Sequence, residues 1–220
     1  MKLFSLLPQR CSVCGQAASE ELCRPCQARR ERRSSLGSGQ CRVCAAPLLG
    51  EAELCADCVS RDGPFTALDG LYGYQEPGAE LIRLYKFGGA SVLARSWARA
   101  AAGRLIPPGP LVPIPTFRRR LWRRGWDPVG FWTAALAREL ALPVWRILSR
   151  KPTPAQKSLG REERTENARA AYRLRRRHVS SDVAWLIDDI VTTGATVEAC
   201  ARLLRDAGVK EVRVFCLGLH

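Results

Sequence analysis

No run of apolar residues in this chain approaches the roughly 18 that a membrane-spanning helix requires, so no spanning segment is expected. Met1 to Arg10 holds a short apolar run but neither a long apolar core nor a small-residue cleavage site. A secretory signal is therefore not expected, and the cytoplasm is the default compartment. Histidine is nearly missing: of 220 residues only His178 and His220 are of that type, one in a basic run and one at the C-terminus. Both read as solvent-exposed bystanders, and no residue stands out as a general base. Large apolar side chains are scarce from residue 11 to residue 58, with little beyond Leu22, Val43, Leu48, Leu49 and Leu54, too few for an independent core.

That same apolar-poor stretch holds eight of the ten cysteines, as four CxxC pairs: Cys11/Cys14, Cys23/Cys26, Cys41/Cys44 and Cys55/Cys58. Each pair can bend into a knuckle presenting two thiolates to one ion, and two knuckles complete a tetrahedral zinc site. Eight residues separate the first two pairs and ten the last two, which suits two sequential ribbons and two structural zinc ions, although an interleaved partition is also possible. Disulfides are the alternative, but without a secretion signal a reducing compartment favours metal. Zinc would then supply most of this segment's folding free energy. Arg29 to Gln40 is charged and then rich in Gly and Ser, and reads as the linker between ribbons. Cys200 and Cys216 fall on apolar faces of the last helix and strand, and read as buried thiols.

The net charge of +14 is unevenly spread. Between Phe117 and Ser180, 17 Lys and Arg stand against 5 Asp and Glu, an excess of +12 that leaves only +2 elsewhere. A concentrated basic patch attracts polyanions such as pyrophosphate, nucleotides or a nucleic-acid backbone. The plain alternative, for runs such as Arg175-Arg176-Arg177, is a solvated basic face.

The most informative stretch is Val183 to Thr196. An apolar run suited to a buried parallel strand ends in Asp188 and Asp189, followed by a Thr/Gly turn and a helical pattern with Val197, Cys200, Ala201 and Leu204 on one face. In a strand, tight turn and helix, the turn amides and the Thr192, Thr193 and Thr196 hydroxyls converge where the helix dipole favours a phosphate. Gly194 permits close backbone approach. Carboxylates at the strand's end can accept hydrogen bonds from ribose hydroxyls or hold a hydrated magnesium ion. The competing reading has the acids cap the helix and the threonines satisfy turn amides. The pattern resembles the type I phosphoribosyltransferases. That resemblance implies ribose contacts for Asp188 and Asp189, and 5′-phosphate contacts for Thr192, Thr193, Gly194, Ala195 and Thr196.

Upstream, Thr66 to Tyr74 suits an edge strand, and Ala79 to Phe87 and Ser91 to Leu105 suit helices. Leu111 to Pro115 reads as a short strand, Thr116 to Gly125 as a basic turn with five arginines, and Pro128 to Leu140 as a helix with Asp127 as N-cap. Arg119, Arg120 and Arg124 would bring planar bidentate donors to a pyrophosphate. Val144 to Leu148 reads as a further strand, and Ser149 to Ala170 as a long polar, basic connection of the kind that forms functional loops.

Nearly the whole chain resembles the ComF family of competence-associated proteins, also known as GntX-like double-zinc-ribbon phosphoribosyltransferases. The landmarks are the paired CxxC ribbons, Tyr85-Lys86-Phe87-Gly88-Gly89, Val112-Pro113-Ile114-Pro115, Arg119-Arg120 leading to Arg124-Gly125, then Gln156, Leu159, Arg164 and Asn167, and the Asp188 to Thr196 turn. Where family members have an Arg-Gly-Phe-Asn-Gln run, this chain has Arg124-Gly125-Trp126-Asp127-Pro128, which puts any contact made by that amide pair in question. The resemblance implies a zinc-ribbon domain at 1–62 and, at 63–220, a type I phosphoribosyltransferase-like domain of the α/β class: a mostly parallel sheet flanked by helices.

Two functions follow from it. One is a transferase that displaces pyrophosphate from C1 of phosphoribosyl pyrophosphate, with magnesium bridging the ligand, Asp188 and Asp189 orienting ribose and metal, Arg119, Arg120 and Arg124 neutralising the leaving group, and a loop with Gln156, Lys157, Arg161 and Arg164 closing over the site. The other is a ligand-binding protein that handles single-stranded DNA during transformation, with a competence helicase or uptake-channel protein as partner. Trp122 and Trp126, among the arginines, read as candidates to stack on bases, whereas Trp132 and Tyr172 read as core.

Overall fold

Val183 to Ile187 and Val212 to Leu217 are almost continuously apolar, as strands covered on both faces must be. In the computed structural model they are the two central strands of one sheet. The structure describes residues 63–73, 78–89, 91–151, 170–175 and 178–219, together with 9–11, 16–18, 23–24, 41, 48, 52 and 54–55. Strands β1 (Gln9–Arg10) and β2 (Ala17–Ala18) pair antiparallel, and the Cys11 N–H donates to the Gln16 carbonyl at 2.7 Å. There follow β3 (Ala67–Gly73), α1 (Gly78–Phe87), α2 (Leu93–Ala101), β4 (Leu111–Pro113), α3 (Arg118–Arg124), α4 (Pro128–Leu140), β5 (Leu148–Arg150), β6 (Tyr172–Leu174), β7 (Ser181–Val191), α5 (Ala195–Asp206) and β8 (Val209–Leu219).

The main sheet runs β3-β8-β7-β4, all parallel, with β3 at the edge as its pattern requires. Alternation along β7 and β8 divides the core in two. Trp185, Ile187, Phe215 and Leu217 face α1, α2 and α4, where Tyr85, Trp97 and Trp132 are fully buried. Edge-on ring pairs hold this face together: Tyr85 with Trp97 at 4.9 Å, and Trp97 with Trp132 at 6.3 Å. Each such pair contributes about 0.5–1.5 kcal/mol beyond its burial. Ala184, Leu186, Val214 and Cys216 face the other way, against the Val197, Cys200, Ala201 and Leu204 stripe of α5.

Three expectations are corrected. The five-arginine segment is not a turn: Arg118 to Arg124 form α3, which starts after the extended Phe117 and stops at Gly125 in the left-handed region (φ 78°). Arg and Leu favour helix strongly, and a glycine just past the last turn ends it. Val144 to Leu148 is not one strand: Val144 makes a single parallel bridge to Leu111, after which the chain leaves to pair β5 antiparallel with β6. Asp127 stands at the N-cap of α4 with Pro128 in the first turn, but its carboxylate makes no capping bond. It accepts a hydrogen bond from the Thr116 hydroxyl at 3.3 Å and folds back over Gly130, where a Cβ would clash with it.

Among the described residues no helix is long and apolar enough to cross a membrane. Cys11, Cys23 and Cys41 are buried and Cys55 is half-buried, while Cys14, Cys26, Cys44 and Cys58 lie outside the described residues. So do Gln156, Lys157, Leu159, Arg161, Arg164 and Asn167 of the long connection. Its ends are held together by β5 and β6 and by the Lys151 N–H to Ala171 carbonyl bond of 2.7 Å.

Candidate functional site

In this sheet, β7 is followed by α5 and returns as β8 on one side, whereas β4 is followed by α3 and α4 and returns at Val144 on the other. Connections leaving two neighbouring parallel strands in opposite directions open a crevice between their carboxyl ends, the place where open α/β sheets bind ligands. Register sharpens the picture. β4 ends level with Ile187, since Pro113 pairs with Ile187 and the Ile114 N–H donates to the Ile187 carbonyl at 2.9 Å. β8 continues beside β7 as far as Val191. Asp188 and Asp189 therefore emerge just beyond the reach of β4, while still inside β7.

Two-residue alternation sends the adjacent acids to opposite faces. Asp189 continues the Trp185–Ile187 series toward α1, where its Oδ2 accepts from the Lys86 ammonium at 2.7 Å. Asp188 continues the Ala184–Leu186 series toward α5, and its Oδ1 accepts from the Asp189 N–H at 2.8 Å. Burial first, and the neighbouring Asp189 charge second, push the Asp188 carboxyl up to about 8. Burial, followed by the Asp188 charge, likewise holds the Cys200 and Cys216 thiols well above their ordinary value, so they are inert core groups.

The turn after β7 is accessible. Thr192 and Thr193 are exposed, and Gly194, Ala195 and Thr196 half-exposed. Gly194 sits in the left-handed region (φ 74°), a Cβ placed on it would meet nothing within 4 Å, and its carbonyl accepts the Glu198 N–H at 2.8 Å. The residue thus starts α5 and leaves open space beside the turn. The twelve residues of α5 direct their positive end at that space.

The arginines are placed unevenly. Arg119 and Arg120 project from α3 into solvent, and among the described residues no hydrogen bond or ion pair joins them to the acids. Arg124 turns inward: its guanidinium lies 4.7 Å from the centre of the Phe87 ring, and its buried Nε has no hydrogen-bond partner among the described residues. Of the two tryptophans expected to stack on bases, Trp122 is 83% exposed. Trp126 is half-buried, with ring edges against Tyr85 at 4.9 Å and Phe131 at 5.9 Å, so the expectation of a free stacking surface is corrected for it. Trp132 and Tyr172 are buried, and His178 is exposed, as expected. His220 lies outside the described residues.

Sequence reasoning missed two groups. Lys86 was only a landmark, yet it holds Asp189. Arg150, at the end of β5, lies over the Tyr172 ring at 5.2 Å and the Phe117 ring at 5.5 Å, and its buried Nε also has no partner among the described residues. Its charge pulls the Asp188 carboxyl down and opposes the burial that pushes the Tyr172 phenol up to about 12. A single basic residue before a long connection carries no signal of this in the sequence.

The donor set at the crevice suits a hard divalent cation: carboxylate oxygens with hydroxyls nearby, and an ammonium already standing where a cation would stand.

Residues 3–59 match the double zinc ribbon domain family. Among curated proteins, competence protein F of Haemophilus influenzae is 28% identical over 99% of this chain and 98% of its own length. The DNA utilization protein YhgH of Salmonella typhimurium is 29% identical over 94% and 88%, and competence protein ComFC of Streptococcus pneumoniae 26% over 89% and 86%. Among solved structures, adenine phosphoribosyltransferase of Leishmania tarentolae is 16% identical over 60% of this chain and 71% of that one, with a TM-score of 0.37. The allosteric regulatory enzyme of purine biosynthesis is 15% identical over 61% of this chain and 30% of its own, with a TM-score of 0.44.

Proposed function

Because the chain belongs to the ComF family, we propose that it binds a phosphoribosyl pyrophosphate-type ligand with magnesium at the carboxyl end of β7 and acts on single-stranded DNA in DNA uptake. The observation that carries the pocket is the pair of acids leaving β7 beyond the end of β4, beside the open Gly194 turn. In this reading Asp188 and Asp189 orient the ribose hydroxyls and the hydrated metal. The turn from Thr192 to Thr196 receives the 5′-phosphate through backbone N–H groups and hydroxyls. Arg124, whose guanidinium lies over Phe87 at the end of α1, and Arg119 and Arg120, on the exposed helix, neutralise the pyrophosphate or a DNA backbone. Magnesium would supply charge neutralisation of the phosphates, and everything else is positioning by the protein.

DNA handling is supported by the names of the relatives and by the exposed face of α3, where four arginines flank Trp122. Residues 1–62 would form the zinc-ribbon module and 63–220 the ligand-binding unit. Cys11 and Cys23 lie in the same apolar cluster on the aromatic side of the sheet, which supports one zinc ion shared by their two knuckles. Turnover, with release of pyrophosphate on attack by an incoming acceptor, is the second reading.

The test is a calorimetric titration with phosphoribosyl pyrophosphate plus magnesium and with a single-stranded oligonucleotide, separately and in competition. Saturable binding of each is expected, the oligonucleotide weakening steeply with salt. No heat from the sugar phosphate would remove the pocket, and no oligonucleotide binding would remove the DNA role.

A further inference from the structure

Helix α1 ends at the crevice, and its last two residues touch both halves of the site. Lys86 reaches Asp189 at 2.7 Å with only 14% and 16% of the two side chains exposed. Phe87, 72% exposed, carries the Arg124 guanidinium. The Gly88 N–H makes the last helical bond, to the Leu84 carbonyl at 2.7 Å, and the helix stops because Gly89 turns left-handed (φ 71°). The ammonium is therefore delivered from a fixed point. An ion pair this sheltered differs from the surface pairs that contribute little, since removing either partner leaves a poorly hydrated charge. It also sits on a carboxylate that a strand exit aims at a crevice, where a purely structural lysine has no reason to be.

Resting on the reading that the acids hold ribose and magnesium, we propose that Lys86 is a further positioning residue of the site: a resident counter-cation that occupies Asp189 until an anionic ligand draws the ammonium off and a divalent cation takes the carboxylate. Ammonium and metal compete for one oxygen. Phosphate oxygens decide the competition, because they offer the ammonium a second anion within reach of its four-carbon stem. The free metal is kept off the acids, and the metal enters with the phosphorylated ligand.

The experiment titrates manganese into the zinc-loaded full chain, without sugar phosphate, and reads free manganese by electron paramagnetic resonance. Lys86→Met is expected to bind manganese about tenfold more tightly than wild type. Adding Asp189→Asn should remove the gain, and Lys86→Arg, which keeps the charge, should stay near wild type. Should Lys86→Met not fold, Lys86→Gln carries the same comparison. A second arm titrates phosphoribosyl pyrophosphate with magnesium, where Lys86→Met should bind about tenfold more weakly. Unchanged manganese affinity in folded Lys86→Met or Lys86→Gln overturns the inference. If manganese behaves as expected and wild type takes no sugar phosphate, the counter-cation stands and the phosphoribosyl reading falls.

Discussion

Two strand-to-helix connections face each other across the gap between β7 and β4, and they differ in what holds them. After β7, Gly194 starts a twelve-residue helix whose Val197, Cys200, Ala201 and Leu204 are buried against the sheet. After β4, seven residues make a helix with none buried, which displays Arg118, Arg119, Arg120 and Arg123 to solvent. A site that recognises an anion through backbone N–H groups needs the first design, because those groups must stay where packing has put them. Long charged side chains need no such anchor, since they carry their donors to the ligand on flexible stems.

The sharpest way to break this comparison is at the acids. Asp188→Asn with Asp189→Asn should cost about 100-fold or more in magnesium-dependent affinity for phosphoribosyl pyrophosphate by calorimetry, whereas Arg119→Ala with Arg120→Ala should leave that affinity measurable. Next in size is packing. Leu204→Ala on α5 should lose about 2–5 kcal/mol in urea unfolding, and Trp122→Ala on α3 no more than about 0.5 kcal/mol.

A pH series isolates the carboxyl held toward α5. Asp188 keeps its proton up to about 8 when folded but releases it at the ordinary carboxylate value when unfolded. Between those values the folded state binds more protons, so this group's contribution to stability falls as pH rises through the window. Asp188→Asn should therefore be more stable than wild type at pH 8 by about 1–3 kcal/mol, with the difference vanishing near pH 4. The smallest effect sharpens the arginine side: Arg119→Ala with Arg120→Ala should flatten the salt dependence of oligonucleotide binding by about 1.4 in the log–log slope, with the melting temperature unchanged.

How much of this was readable beforehand differs between the same two connections. The helix from Ala195 and its apolar stripe followed from spacing alone, as did Pro128 to Leu140, since a proline opens it and the period of its apolar residues is unbroken. The arginine segment reads as a turn from its pattern because charge density masks its local helix propensity and its glycine stop. Val144 was legible as strand, but where the chain leaves the sheet was not, because that depends on β6 supplying a partner 24 residues after β5 begins, as the Leu148–Leu174 register and the Arg150–Tyr172 pairing record.

Residue order by itself determined the two apolar strands, the adjacent acids with the Thr/Gly turn after them, and the paired cysteines, because period, turn chemistry and ligand spacing are local properties. Only the tertiary structure decided that Asp189 faces Lys86 while Asp188 faces the thiols, that Arg124 rather than Arg119 or Arg120 turns inward, and that the crevice opens between β7 and β4. Each of these depends on which strand lies beside which, and neighbours brought together across a hundred residues are set by the burial of both sheet faces at once.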